Sequence, residues 1–297
     1  MKRVVMVLMR VTLLAAGCAA QPSVAAWPRI ETGVDSEAWA RIPAGAFLMG
    51  PHNQEMLIDH DYQITVTPVT NAQYARYLNA AQAAGKVKTV NDKVVGPYPG
   101  DPFHNVKHEK EIKAGDWPHL SISAPELRLT FDGKTFGVRP GYENHPMVMV
   151  TWFGAKAYCE FNGGRLPDEA EWEKAARGTD GRAFPWGADI ARNNANFYAS
   201  RDPFEKLLPG SGDTTPVGFY SGKTYDDYQT LNSASPYGAH DMAGNVWQWT
   251  GDIYEGVHYR YMRGGSKDNY EYNLRAFTRN SAEPDYASPG VGFRCVK

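Results

Sequence analysis

The chain is sparing with cysteine, three in 297 residues, and neither sign of charge dominates, since 31 Lys and Arg against 33 Asp and Glu leave a net charge of −2. The charges are interspersed without long blocks, which removes the electrostatic case for a nucleic-acid or anionic-surface partner. The apolar run from Val4 to Ala16 falls short of the roughly 20 residues that a membrane-spanning helix needs. No internal repeat or low-complexity tract is present, which argues against a solenoid or array. What remains is ordinary for a soluble globular protein, 42% hydrophobic and 22% charged, with enough apolar residue for a sizeable core. Eight Trp, 17 Tyr, 29 Gly and 20 Pro imply many turns and much irregular structure, and speak against a helical bundle.

The basic start, Met1 to Arg3, followed by the apolar run reads as an export signal over residues 1–26, with Arg10 an unusual interruption. Two processing sites compete. Leu14-Ala-Ala-Gly-Cys18 resembles a lipoprotein box that would be lipidated at Cys18, although Ala15 stands where Leu is usual; Val24-Ala-Ala26 before Trp27 suits ordinary signal peptidase. Either route predicts an extracytoplasmic protein, periplasmic or anchored to the outer membrane, that touches membrane through a lipid alone. The other two cysteines, Cys159 and Cys295, then lie in a compartment that permits disulfides. An even pair there is most simply a bond, the alternative being two buried free thiols.

Residues 27–38 are polar and predict a tether, and the sequence becomes domain-like at Trp39. Trp39–Met49 reads as a first strand and turn and Tyr62–Val66 as a strand. Thr70 caps a helix through Asn79, with Ala72, Tyr74, Ala75 and Leu78 at helical spacing. Residues 85–140, rich in Gly, Pro, Lys and Asp, read as a long, partly ordered insertion. Within it, a helix starting at Asp101-Pro102 would place His104, His108 and Glu111 on one face, imidazole and carboxylate ligands for zinc or iron(II). Solvated histidines on a loop helix are the alternative. Trp152 to Phe161 reads as a buried helix ended by Asn162-Gly-Gly164. A second helix from Pro167 or Asp168 carries Glu169, Glu171 and Glu173 near its start and Lys174 and Arg177 near its end, the order a helix dipole favours.

Seven ordered segments then resemble the sulfatase-modifying-factor family, which includes formylglycine-generating enzymes: Trp39-Ala-Arg-Ile-Pro-Ala-Gly-Ala-Phe-Leu-Met-Gly50, Val69-Thr-Asn-Ala-Gln-Tyr74, the stretch Ala157 to Gly178, Phe184-Pro-Trp-Gly187, Ser235 to Thr250, Arg263-Gly-Gly-Ser266 and Gly292-Phe-Arg-Cys295. The resemblance spans residues 39–297 and implies an α+β, C-type-lectin-like fold with little regular structure. It also implies that Cys159 and Cys295 are joined. The family's oxidase uses two copper-binding cysteines shortly after Gly-Gly-Ser. Here those places hold Asn269 and Leu274, and no cysteine occurs between Gly251 and Arg294. Copper(I) prefers soft thiolate ligands, so copper-dependent formylglycine formation is not expected.

By the same resemblance, a calcium ion would be held by Asp241, the carbonyls of Gly244 and Val246, and Gln248, where relatives place a carboxylate. A second site would map to Asn196 and the Phe197 carbonyl, with Asp202 and Phe204 as remote candidates. Turns held by Asn and Asp hydrogen bonds without metal are the alternative for both. The substrate face would lie near Ser266, Asn269, Tyr270, Tyr272, Arg275 and Arg279, where Tyr offers stacking surface and Arg bidentate contacts to a peptide or small molecule. Trp247 and Trp249 either underlie that face or belong to the core, and Gly264 and Gly265 serve backbone geometry. Two functions remain open. One is an oxidative-tailoring or maturation enzyme of non-standard mechanism; the other is a non-catalytic binding or accessory module of the cell envelope. A deep pocket near Asn269 and Arg275 with a redox metal would favour the first, and a shallow aromatic groove the second.

Overall fold

The computed structural model describes residues 29–105, 107, 109–206, 212–254 and 257–297. The export signal with Cys18, and His108, lie outside the described residues. In chain order the first strands are β1 (Trp39–Ile42), β2 (Gly45–Met49), β3 (Gln54–Ile58) and β4 (Tyr62–Thr65), followed by helix α1 (Asn71–Ala83). Next come β5 (Lys88–Val90), β6 (Lys93–Tyr98), β7 (Gly115–Ser121), β8 (Leu129–Phe131) and β9 (Phe136–Val138). Helices α2 (Trp152–Phe161) and α3 (Glu169–Arg177) precede β10 (Thr224–Tyr225), β11 (Tyr228–Gln229), β12 (Trp247–Tyr254), β13 (Tyr259–Arg263), β14 (Arg279–Ala282) and β15 (Val291–Phe293). No helix among the described residues is long and apolar enough to cross a membrane.

The helix starts follow from local chemistry. Thr70 and Gln73 form a reciprocal capping box on α1, Thr151 caps α2, and Asp168 with Glu171 boxes α3. Gly178 ends α3 at φ +69°, a left-handed value that glycine adopts without penalty. The insertion is more ordered than its composition predicts. It forms the antiparallel sheet β5-β6-β7 and the hairpin β8–β9, and Val94, Ile112, Leu120, Leu129 and Phe136 join α1 and α2 in the main core. Its apolar residues are few but fall on inward positions, so the Gly, Pro and Lys between them occupy turns and outer faces. The expected helix at Asp101 does not form; residues 101–105 are irregular and Asn105 has φ +56°. The residues expected as a tether are also docked from 29 onward: Thr32 Oγ1 donates to Val217 O at 2.9 Å, and Gln73 Nε2 to Ser36 O at 2.9 Å.

The largest sheet runs β14-β13-β12-β15, and β15 lies parallel to β12, pairing Trp247 with Val291 and Trp249 with Phe293. The C-terminal segment is built into the centre. Cys295 is bonded to Cys159, with Cα atoms 5.6 Å apart. Buried Arg294 donates to the carbonyls of Thr65 and His240, both at 2.7 Å, and to Gln248 Oε1 at 2.6 Å. A side chain at Gly292 would strike Met147 O at 2.6 Å, which explains the glycine before Phe293. A second core joins β1 and β4 to α3 through Ile42, Ile64, Trp172 and Ala176.

Candidate functional site

A two-part concavity lies between the β2–β3 hairpin, the start of α3, the β12–β13 pair and the segment 272–279. It comprises two adjoining cavities of about 500 and about 530 Å³, both bordered by Met49 and Met56. Gln54, Arg263, Tyr272, Phe277 and Arg279 line the first, and Asp168, Glu169, Asp252, Ile253, Tyr254 and Tyr261 the second. A register break in β12 between Trp249 and Ile253 divides its roles. Before it, Trp247 to Thr250 are buried; after it, Ile253 and Tyr254 are exposed.

The floor is an ion-pair network that pins the walls. Glu169 Oε1 accepts from Arg263 Nε at 2.7 Å and its Oε2 from Arg279 Nη1 at 3.1 Å. Buried Glu173 accepts from Arg177 at 2.8 Å, from Arg263 at 3.0 Å and from the Gly50 N–H at 2.6 Å, which ties the hairpin to α3. Arg279 also stacks on Tyr261 at 4.9 Å, and Tyr254 lies 5.5 Å from Tyr261. Burial raises the carboxyls of both Asp168 and Asp252, and Asp252 accepts the Glu169 N–H at 2.5 Å. One end of the groove is therefore acidic and aromatic, and the other carries Arg279 and Tyr272. Such walls can stack on apolar groups and receive a cation beside rings and carboxylates.

The structure brings only part of the expected substrate face here. Tyr272 and Arg279 line the groove, and Arg275 stacks on Tyr272 at 5.2 Å. Tyr270 instead pairs with Tyr198 at 4.7 Å. Asn269 Oδ1 accepts from both the Ser266 N–H and Oγ at 2.9 Å, so these two residues make a closed turn. Trp247 and Trp249 are core residues, and Trp249 Nε1 donates to Val150 O at 3.2 Å. Gly264 has φ +94°, and a Cβ there would meet the Trp172 ring at 3.1 Å, a geometric role. The signals missed in the sequence are Met56, Asp252, Tyr254 and Tyr261, which come from a hairpin and a strand end whose alternation shows only once the pairing is known.

The donor set does not fit copper(I). Leu274 is wholly buried against Phe184, Phe197 and Ala243, Asn269 is engaged in its turn, and neither can supply a thiolate. The calcium set also closes on protein donors. Gln248 Oε1 accepts from Trp172 Nε1 at 2.9 Å and Arg294 Nε at 2.6 Å, which takes both lone pairs and puts a guanidinium where a cation would approach. Asp241 Oδ2 accepts the Gly218 N–H at 2.6 Å, and burial pushes this carboxyl up to about 6. The carbonyl of Gly244 accepts the Val246 N–H at 2.8 Å. As placed, the Gln248 oxygen does not fit as a calcium ligand. Asn196 donates to Asp213 O at 2.9 Å and its carbonyl accepts the Asn245 N–H at 2.8 Å, while the Phe197 carbonyl accepts the Ser200 N–H at 2.9 Å. Asp202 accepts from Ser200 and Tyr220, and Phe204 packs on Phe219, so the remote pair serves a separate small core.

The helix expected to align His104, His108 and Glu111 does not form among the described residues, exposed Glu111 pairs with Lys113 at 3.2 Å, and His108 lies outside the described residues. Of the three, His104 meets Glu109 and His258 instead.

Fold and site together define a mixed α/β protein of the formylglycine-generating-enzyme fold, with few helices, many short strands and a surface groove. Residues 29–297 match the family described as sulfatase-modifying factor enzyme 1-like domain, and the chain belongs to that family. It is 31% identical to mouse inactive C-alpha-formylglycine-generating enzyme 2, covering 91% of this chain and 89% of the relative. It is 30% identical to the formylglycine-generating enzyme of Streptomyces coelicolor, covering 94% and 93%. A serine/threonine-protein kinase pkn1 of Chlamydia caviae is 30% identical over 86% of this chain, but the match spans only 37% of the kinase. Among solved structures, PvdO from Pseudomonas aeruginosa superimposes with TM-score 0.53 at 19% identity, over 87% of this chain and 93% of that one. CarF does so with TM-score 0.51 at 19% identity, over 88% and 97%.

Proposed function

We propose that the protein is an exported, non-copper member of its family that binds a peptide-like ligand in the Met56–Arg279 groove, as an accessory or maturation factor of the cell envelope. The observation that carries this reading is the groove itself: thioether and aromatic walls, an acidic end at Asp168 and Asp252 beside Tyr254 and Tyr261, and Arg279 further along. That arrangement suits an extended chain with a basic side chain at the acidic end. The positions of the copper cysteines are given to structural work, and the mouse relative named as inactive is in keeping with binding without that chemistry. Oxidative tailoring at this groove would need a redox group within reach. Its lining residues include no thiol or imidazole to hold one, so the binding reading is preferred.

Selection of a random peptide library on the purified full chain tests it. Enriched peptides should carry Lys or Arg near an aromatic residue and lose affinity by about tenfold in Tyr254→Ala and in Asp252→Asn. Peptides that bind both variants like wild type, or conversion of a cysteinyl peptide to its aldehyde by the copper-supplied protein, would sink the proposal. For export, Cys18→Ala should release the protein from the membrane fraction if the lipid anchor is used, and should leave fractionation unchanged if Val24-Ala-Ala26 is the processing site.

A further inference from the structure

We propose that His104, Glu109 and His258 form a binding site for a divalent transition-metal ion of the zinc class, with one coordination position open to solvent. Among the described residues these three side chains each offer a ligand atom, all within 4.8 Å of one another. His258 is buried in the connection between β12 and β13, and Glu109 has no exposed side-chain surface. His258 Nε2 lies 2.6 Å from Glu109 Oε1, and His104 Nδ1 lies 3.3 Å from the same oxygen. Tetrahedral zinc with bonds of about 2.0 to 2.1 Å places its ligand atoms roughly 3.3 Å apart. The set therefore closes on an ion once the His258 Nε2–Glu109 Oε1 contact opens from 2.6 Å by somewhat under about 1 Å and His104, whose side chain is 70% exposed, turns to join them.

The surroundings are those of an oriented ligand. The second nitrogen of His258, Nδ1, lies 3.1 Å from Asp101 Oδ2, so a proton held there leaves the Nε2 lone pair for the ion, as in carboxylate–histidine–metal triads. Asp101 is itself held by Arg260, which stacks on Trp152 at 4.3 Å, and by Tyr98 at 2.5 Å. Arg260 pairs with Asp101, and Lys110 is directed to Glu283 at 2.5 Å and Asp285 at 3.3 Å. Imidazole and carboxylate suit zinc, cobalt(II) and iron(II), and three protein ligands leave a position for water or substrate. None of the three residues lines the groove, so the site stands apart from the peptide-binding proposal and ties the insertion to the β12–β13 hairpin.

The test uses the full chain, stripped with a chelator and titrated with zinc by calorimetry and with cobalt(II) by its visible absorption. The expected result is one saturable equivalent, a cobalt spectrum of four or five nitrogen and oxygen ligands, and a rise in melting temperature on zinc binding. His104→Ala, exposed and safe for folding, should weaken binding by at least about tenfold, and Glu109→Gln should do the same. Absence of stoichiometric binding in the folded wild type would overturn the site and leave a histidine bridging two carboxylates as an ion pair. So would binding that is unchanged in both variants. Selected groove peptides should bind His104→Ala like wild type, so failure of one proposal is read separately from failure of the other.

Discussion

Reduction of the Cys159–Cys295 bond should destabilise the protein strongly while leaving its native contacts in place. The bond closes a loop with a sequence separation of 136. In the chain-entropy account, freeing a loop of that size returns about 17 cal/mol/K to the unfolded chain, or about 5 kcal/mol at 25 °C. The native state has little reason to change, because the same segment is held independently. Arg294 is bonded to Thr65, His240 and Gln248, Val296 bridges Ile64 and Arg165, and Phe293 is buried in the core. Urea denaturation of the oxidised protein and of Cys159→Ser/Cys295→Ser, followed by near-ultraviolet circular dichroism, measures the difference. The expected result is a loss of several kcal/mol with an unchanged native spectrum. A loss below about 1 kcal/mol would refute the entropic reasoning. Lost hydrogen-exchange protection confined to residues 291–297, at unchanged global stability, would show that the bond merely pins a local strand.

Acid should weaken the fold from about pH 6.5 downward. Burial lowers His119, His145 and His240 to about 4, below the unfolded value near 6.5, so the unfolded chain takes up the protons first and each residue costs up to about 3 kcal/mol as pH falls through that window. Asp241, raised to about 6, works in the opposite direction, since its native form binds the proton first; Asp241→Asn should steepen the acid loss in urea midpoints measured between pH 7 and pH 4.5. A midpoint that rises on acidification would contradict the sign. Glu173→Gln, which leaves Arg177 without its buried carboxylate and Arg263 with Glu169 alone, should lower stability by about 3 kcal/mol, and a change under about 1 kcal/mol in thermal unfolding would count against the network. Gly264→Ala forces a Cβ to within 3.1 Å of Trp172 at φ +94° and should cost roughly 1 to 3 kcal/mol by the same assay.

The sequence by itself determined the family, the mixed fold, the start of the first helix at Thr70 and, through the family resemblance, the pairing of Cys159 with Cys295. These rest on local or ordered signals: the cap residue Thr70, the acidic start and basic end of the third helix, and the terminal Gly-Phe-Arg-Cys segment. It also determined that no thiolate pair follows Gly-Gly-Ser, because a missing residue type needs no geometry to be read. Only the tertiary structure decided the groove, whose walls come from residues 49 to 56, 168 to 170, 252 to 254, Tyr261 and 272 to 279 and meet through an ion-pair network that no spacing displays. It likewise decided that Gln248 serves Arg294 and Trp172, and that His104 lies beside His258 from a hairpin more than a hundred residues away. Helical periodicity groups only residues close in the chain. Where the backbone is irregular, side chains are grouped by packing and charge between distant segments, and these are set only when the chain has folded.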